Sequence, residues 1–299
     1  MSLRALSLIV CALLSTTSSI AAAARAPAFH HATAATHDPA TVRRIVSLSP
    51  MVTETLFALG AGARVVGVTR YCDRPQQATA LPKVGGYTDV SLEAVLALSP
   101  QLVIAQRGEG QWAVLDRLQE RGIDVFLVVN DTLDESQRST VALADVAATG
   151  IVGARQAATD LVAAQNKALQ AAAGSGSGRR VVVVVGTGPL VVAGAGSFAE
   201  RAVTATGATS VIAASDPAWP LWSLETMLAR KVDVVVVADG TAGVAAVTRA
   251  LAPLGRRMPR IVAAERNILT RAGPGFAADV DTLATLLRAP ARPTTTTTP

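Results

Sequence analysis

Three histidines, two cysteines and a few aromatic side chains are the chemically distinctive residues of this 299-residue chain. His30, His31 and His37 all lie near the N-terminus, so residues 38 to 299 offer no imidazole. A histidine general base, a Ser-His-Asp triad and a histidine-held zinc each need an imidazole fixed by a rigid scaffold, and all are disfavoured. Loose chelation by the three histidines is a weaker reading than a plain spacer. Cys11 and Cys72 have no metal-ligand spacing. A Cys72 thiolate, its pKa lowered by Arg74, competes as a metal ligand with a small packing cysteine, which is the stronger reading, and no metal ligand is assigned. Gly186-Thr187-Gly188 follows an aliphatic run as a dinucleotide fingerprint would, but the third glycine position holds Val191 and no Walker lysine is present. Acidic residues are spread singly, without a carboxylate pair for acid–base work. The enzyme signatures are all incomplete, so no catalytic residue or catalytic cofactor is assigned, and the chemistry left is that of holding a ligand.

Aromatics make up only 3% of the chain, which gives their positions weight. Tyr71, Tyr87, Trp219 and Trp222 fall between apolar runs, where strand-to-helix loops are expected, and Trp112 falls just inside a helix. In open α/β sheets such loops line the ligand crevice, and aromatic faces there suit a large, partly apolar ligand. The competing reading is that each ring packs its loop onto the lobe.

Elements able to position these loops repeat along the chain. Short runs at 44–48, 65–68, 102–105 and 125–129 read as strands, with helices at 51–59, 91–98 and 111–121 between them. A second block has strands at 181–185, 232–237 and 260–263 and helices at 198–206, 224–229, 244–251 and 276–287. Strands alternating with helices at this spacing imply parallel α/β layers. Two helical stretches, 134–148 and 153–173, separate the blocks; the second, at about 1.5 Å per residue, spans roughly 30 Å, a domain's width. The expected organisation is two lobes, 43–133 and 179–289, joined through a helical linker 134–178 whose backbone helix is 153–173. Tyr87 through Ser91-Leu92-Glu93 in the first lobe is matched by Trp219 through Ser223-Leu224-Glu225 in the second. Each copy has an aromatic loop, a capping serine and a first-turn glutamate, which reads either as a good helix start or as a symmetric docking pair.

The ends read differently. Arg4, the apolar run from Ala5 to Leu14 and the alanines at 21–24 form a secretory signal over 1–24, too short in its apolar part to span a membrane. This predicts export to the periplasm, followed by a flexible lead at 25–42 and, after the second lobe, a disordered tail at 290–299. Half the chain is apolar and 16% charged, which excludes wholesale disorder. The net charge is +5, but it comes from scattered arginines and three lysines with no basic run of five or six, which disfavours nucleic acid.

Arg44-Ile45-Val46-Ser47-Leu48-Ser49-Pro50 followed by Thr53-Glu54 resembles the opening of the periplasmic binding proteins that deliver cobalamin, haem and ferric siderophores to ABC importers. The likeness continues through Gly67-Val68, Tyr71-Cys72-Asp73-Arg74-Pro75, Lys83-Val84-Gly85-Gly86, Ser91-Leu92-Glu93 and Pro100 to Ala105. It resumes at Trp219-Pro220, Ser223-Leu224-Glu225 and Arg271-Ala272-Gly273-Pro274, so that it covers residues 43 to 288. The resemblance implies an α/β fold of class III type, two Rossmann-like lobes with central parallel sheets bridged by one long helix. It implies a solute-binding protein, monomeric when free, that clamps a small metal-chelate ligand and docks Glu93 and Glu225 onto a permease dimer with its ATPase subunits. The Tyr-Cys-Asp-Arg-Pro and Trp-Pro segments most resemble the cobalamin branch. That likeness implies contacts from Tyr71, Trp219 and the loop from Asn267 to Arg271, while Tyr87 and Gln106 stand where that branch often has tryptophans. With the cleft-loop aromatics and arginines, the expected ligand contacts are Tyr71, Asp73, Arg74, Tyr87, Gln106, Arg107, Trp219, Trp222, Asn267, Leu269 and Arg271. Haem-binding relatives tend to have a ligating tyrosine directly after the Val-Gly, where this chain has Gly86. A ferric siderophore, usually anionic, is the alternative ligand, and Arg70, Arg74, Arg107 and Arg271 are the cations that would receive it.

Overall fold

Short β-branched runs buried on both faces produce two separate sheets in the computed structural model, which describes residues 36–107, 111–265 and 267–288. The first lobe runs β1 (Ile45–Ser47), α1 (Pro50–Ala58), β2 (Val65–Val68), α2 (Gln76–Thr79), α3 (Leu92–Ala97), β3 (Leu102–Gln106), α4 (Trp112–Gln119) and β4 (Asp124–Val128). Its four strands are all parallel, in the order β2-β1-β3-β4. Two helices follow, α5 (Leu133–Val146) and α6 (Ala154–Ala171). The second lobe comprises β5 (Arg180–Thr187), β6 (Leu190–Val192), α7 (Phe198–Ala205), β7 (Thr209–Ser210), α8 (Leu224–Ala229), β8 (Val234–Val237), α9 (Gly240–Leu251), β9 (Arg260–Ala263) and α10 (Phe276–Arg288). Its sheet has the order β6-β5-β8-β9 with β7 paired to β5, and only β6 runs antiparallel.

Each sheet has one apolar layer on either side. Ile45, Ile104 and Phe126 face α1, α5 and α6, while Val46, Val103 and Leu127 face α3 and α4. In the second lobe Val181, Val183, Val234 and Val236 face α7 and α10, and Val182, Val184, Val235 and Val237 face α8 and α9. The alternation along β5 and β8 follows the two-residue period of a strand, so one valine run feeds both layers. Full burial of each such side chain is worth about 1.5–3 kcal/mol.

Helix α6 is common property of the lobes. Ala154 and Ala158 near its start lie in the first lobe's core, and Ala168, Leu169 and Ala172 at its end lie in the second's. Gly153, at φ 82°, makes the left-handed turn that lets α6 fold back along α5. The start of α5 is fixed by a capping box in which Thr132 Oγ1 accepts from Glu135 N at 3.2 Å and Glu135 Oε2 accepts from Thr132 N at 3.0 Å.

The expected leader at 1–24, most of the lead, and the tail at 290–299 lie outside the described residues. Within the described part of the lead, Thr36 and His37 hydrogen-bond the Asp124 carboxylate and Val42 is buried, so this stretch is fastened to the lobe rather than loose.

Candidate functional site

The sheet order of the first lobe places its switch point between β1 and β3, and the chain leaving those strands opens a crevice at their carboxyl ends. Ser49, Pro50 and Met51 follow β1, Gln106 ends β3 and Asn130 follows β4; together they line one side of a cavity of about 310 Å³ between the lobes. Ser49 Oγ donates to Gln106 Oε1 at 3.4 Å. The opposite wall comes from the second lobe: Val185 on β5, Val191 on β6, Phe198 at the start of α7, and Trp219. Trp219 and Phe198 meet with ring centroids 5.2 Å apart at 59°, a tilted geometry that aromatic quadrupoles favour. Trp219 is brought there by Gly194, whose N–H donates to Ala218 O at 2.7 Å; a Cβ on Gly194 would collide with the carbonyl of Pro217. Thr270 and Arg271 close the rim.

Arg271 crosses from the second lobe to the first. Its Nη1 lies 2.6 Å from Glu54 Oε1 on α1 and 2.7 Å from Asp73 Oδ1, and its Nη2 donates to Tyr71 O at 3.3 Å. Arg74 Nε shares the Glu54 carboxylate at 3.3 Å. Burial disfavours the Arg271 charge, but the hydrogen bonds it donates to Asp73 and Glu54 outweigh that and raise the pKa. Burial likewise pushes Asp73 up, and Arg271 more than reverses that, holding the carboxyl below its ordinary range. The loop carrying Arg271 is strapped from behind: Ser136 Oγ on α5 donates to Ala272 O at 2.6 Å, and Gln165 Nε2 on α6 donates to Gly273 O at 2.9 Å. Asp279 at the start of α10 receives Leu269 N at 2.9 Å, yet its burial dominates and raises its pKa to about 6.

The expected contact residues separate into groups. Gln106, Trp219 and Arg271 line the cavity, and Asp73 and Arg74 join it through the Arg271–Glu54 cluster. Tyr71 is 52% exposed, with the Arg70 guanidinium 5.4 Å above its ring. Tyr87 is partly buried, and its carbonyl accepts from Gln111 Nε2 at 2.6 Å; burial and the nearby Asp131 raise its phenol pKa. Arg107 is exposed and Asn267 is held by Ala238 O, neither among the lining residues. Two expectations fail. Trp222 is buried in the second lobe's core under Arg230, and Leu269 is fully buried beside Phe276, so neither side chain can face a ligand. Both sit in loops that read as crevice-lining, but hydrophobicity turned them inward. Ser49, Asn130, Phe198, Thr270 and the bridging Glu54 were not expected as site residues. The signal available for the first two was their position just beyond a strand's carboxyl end.

Glu93 and Glu225 are exposed in the first turns of α3 and α8. Ser91 and Ser223 cap those helices through Ala94 N at 3.1 Å and Thr226 N at 3.2 Å. Both carboxyls are held below the ordinary range, Glu93 by its own backbone N–H and then Ser91, Glu225 by Ser223 and then its backbone N–H. Among the described residues no group of three or more His, Cys, Asp or Glu side chains could hold a metal ion; Cys72 is buried against Thr53 and Thr69.

Two lobes with facing carboxyl edges, one shared helix and an aromatic-walled cleft define a two-lobed solute-binding protein. A family model described as periplasmic binding protein matches residues 45–251, and the chain belongs to that family. It is 34% identical over 200 residues to the vitamin B12-binding protein of Salmonella typhimurium, covering 67% of this chain and 73% of that one. It is also 31% identical over 194 residues to the vitamin B12-binding protein of Yersinia pestis, covering 65% and 69%. Among solved structures, the periplasmic haem-binding protein RhuT of Roseiflexus sp. superposes with a TM-score of 0.70 at 28% identity, over 83% of this chain and 98% of that one. The vitamin B12-binding protein BtuF of Vibrio cholerae superposes at 0.68 with 23% identity, over 83% and 97%, a likeness of fold. The family places the protein in the periplasm, among proteins that bind solutes for import.

Proposed function

We propose that this protein captures a corrinoid of the cobalamin class in the interlobe cleft and presents it to an ABC importer. The observation that carries this reading is the commitment of the arginines around the cleft. Arg271 is held by Glu54 and Asp73, Arg74 by Glu54, and Arg70 by both oxygens of Asp89 at 2.6–2.8 Å, while the exposed Arg107 is not among the residues lining the cavity. A ferric siderophore or a haem with ionised propionates needs cations it can claim, and charges already paired with carboxylates are poor anion receptors. What the cavity offers instead is an aromatic wall facing neutral amide and hydroxyl groups, complementary to a flat macrocycle with an uncharged polar rim. Neither histidine nor tyrosine is among the lining residues, and Met51, which borders the cavity, is only 1% exposed, so a haem iron finds no imidazole or phenol there as axial ligand. The relatives named vitamin B12-binding proteins support the same reading.

On this proposal the protein is a monomer when free and no enzyme, and Glu93 and Glu225 dock on the two halves of a permease dimer served by ATPase subunits. The cavity is at the small end of ligand sites, so loading a corrinoid requires the lobes to part slightly and settle on it. Isothermal titration with cyanocobalamin, haemin and a ferric hydroxamate tests the ligand. One-to-one submicromolar binding of cyanocobalamin is expected; tight haemin or siderophore binding with no heat from cyanocobalamin would move the protein to iron uptake.

A further inference from the structure

Asn130 is an anomaly in the cleft. It is 6% exposed, lines the cavity, and its Oδ1 has no hydrogen-bond partner among the described residues. Gln111 and Gln165 also have orphaned amide oxygens, but their NH₂ groups are anchored, to Tyr87 O and to the carbonyls of residues 272 and 273, and neither lines the cavity. A buried polar group without a partner carries a desolvation cost that a fold keeps only where something else satisfies it. Gln106 stands opposite Val128 across the β3–β4 ladder, so Asn130, two residues on, emerges at the neighbouring edge of the same sheet. The Ser49 hydroxyl, which also lines the cavity, donates to Gln106 Oε1 at 3.4 Å.

We infer that Asn130, assisted by Gln106, is a specificity-determining residue that reads the peripheral carboxamides of the ligand. A half-turn about its last side-chain bond lets a primary amide present either C=O or NH₂, so it matches both ends of a second amide and satisfies its own orphaned oxygen in doing so. A carboxylate rim offers only acceptors to that site and leaves the Asn130 oxygen unpaired. The inference rests on the corrinoid reading, since corrinoids carry acetamide and propionamide side chains around the ring, and it narrows that reading to one set of ligand groups.

The test is a titration matrix at neutral pH. Cyanocobalamin and its monocarboxylic acid derivatives, each with one side-chain amide hydrolysed, are titrated into the parent protein, Asn130→Ala and Gln106→Ala. Asn130→Ala should weaken cyanocobalamin about tenfold, as expected for leaving a polar ligand group without its partner. At least one derivative should bind the parent correspondingly more weakly, and against that derivative Asn130→Ala should cause no further loss. Cyanocobalamin affinity within twofold of the parent, or an equal loss against every derivative, would overturn the inference while leaving corrinoid capture intact. A parent that binds no corrinoid refutes both readings before any variant is compared. If circular dichroism shows Asn130→Ala unfolded, Asn130→Leu, of nearly the same size and without hydrogen-bonding atoms, takes its place in the matrix, with the same coupling as its criterion.

Discussion

Arg271 leaves water for two carboxylates of the opposite lobe, its side chain only 10% exposed and Glu54's 7%. Desolvation cancels much of the Coulomb attraction in such a cluster, so its main effect is geometric: it fixes how the second lobe's loop sits over the first. Asp279, within the field of this cluster, has the opposite balance. Its carboxyl pKa is raised from 3.8 to about 6 because burial outweighs the Leu269 N–H and the fields of Arg74 and Arg271. The folded protein therefore keeps a proton that the unfolded chain has released. The stability this supports is complete below about pH 4 and is lost as pH rises to about 6. Asp279→Asn keeps the acceptor for Leu269 without the charge. Its melting curve should coincide with the parent's pH dependence near pH 4 and separate above it, reaching a gap of about 2–3 kcal/mol by pH 7. A gap that stays constant across that range would mean the site is solvated in solution.

Helices α3 and α8 repeat one local design, a serine cap and a glutamate in the first turn, at equivalent places in the two lobes. The caps are worth about 1 kcal/mol each to their helices. The glutamates are exposed, so their loss should hardly alter folding. Replacing Glu93 and Glu225 together by alanine should leave ligand affinity near the parent's and abolish uptake by cells that depend on this protein; undiminished uptake would refute the docking role. This repeat was readable from the sequence because capping is a local, residue-type code. Strands β1 to β5, β8 and β9 were equally readable from their aliphatic runs, with ends within about two residues. Strands β6 and β7 were not, because Leu190-Val191-Val192 and Thr209-Ser210 are too short to show a period and exist only by pairing with β5. The start of α9 was placed four residues late since Gly240 and Gly243 weaken the helical pattern there. In the site, Trp219 and Arg271 were legible from loop position and family likeness. Glu54 and Asn130 were not, because their roles depend on what the other lobe, or the far edge of the sheet, brings near them.

At the scale of the molecule, the two lobes are separate in their sheets and joined in their cores. Helix α6 contributes small side chains to both hydrophobic clusters and, through Gln165, holds the rim loop that carries Arg271. One lobe cannot unfold without stripping apolar partners from a helix the other needs. Scanning calorimetry of the ligand-free protein should therefore give one transition, with van't Hoff and calorimetric enthalpies in agreement. Two resolved transitions would show that α6 frays without consequence and that the lobes are energetically independent. The same rigid frame keeps Trp219 at the cleft wall, and this has an optical consequence. Corrins and porphyrins absorb where indoles emit, so a coloured macrocycle seated against Trp219 would drain its excited state, and the fading of the protein's own ultraviolet glow would report occupancy without any attached dye.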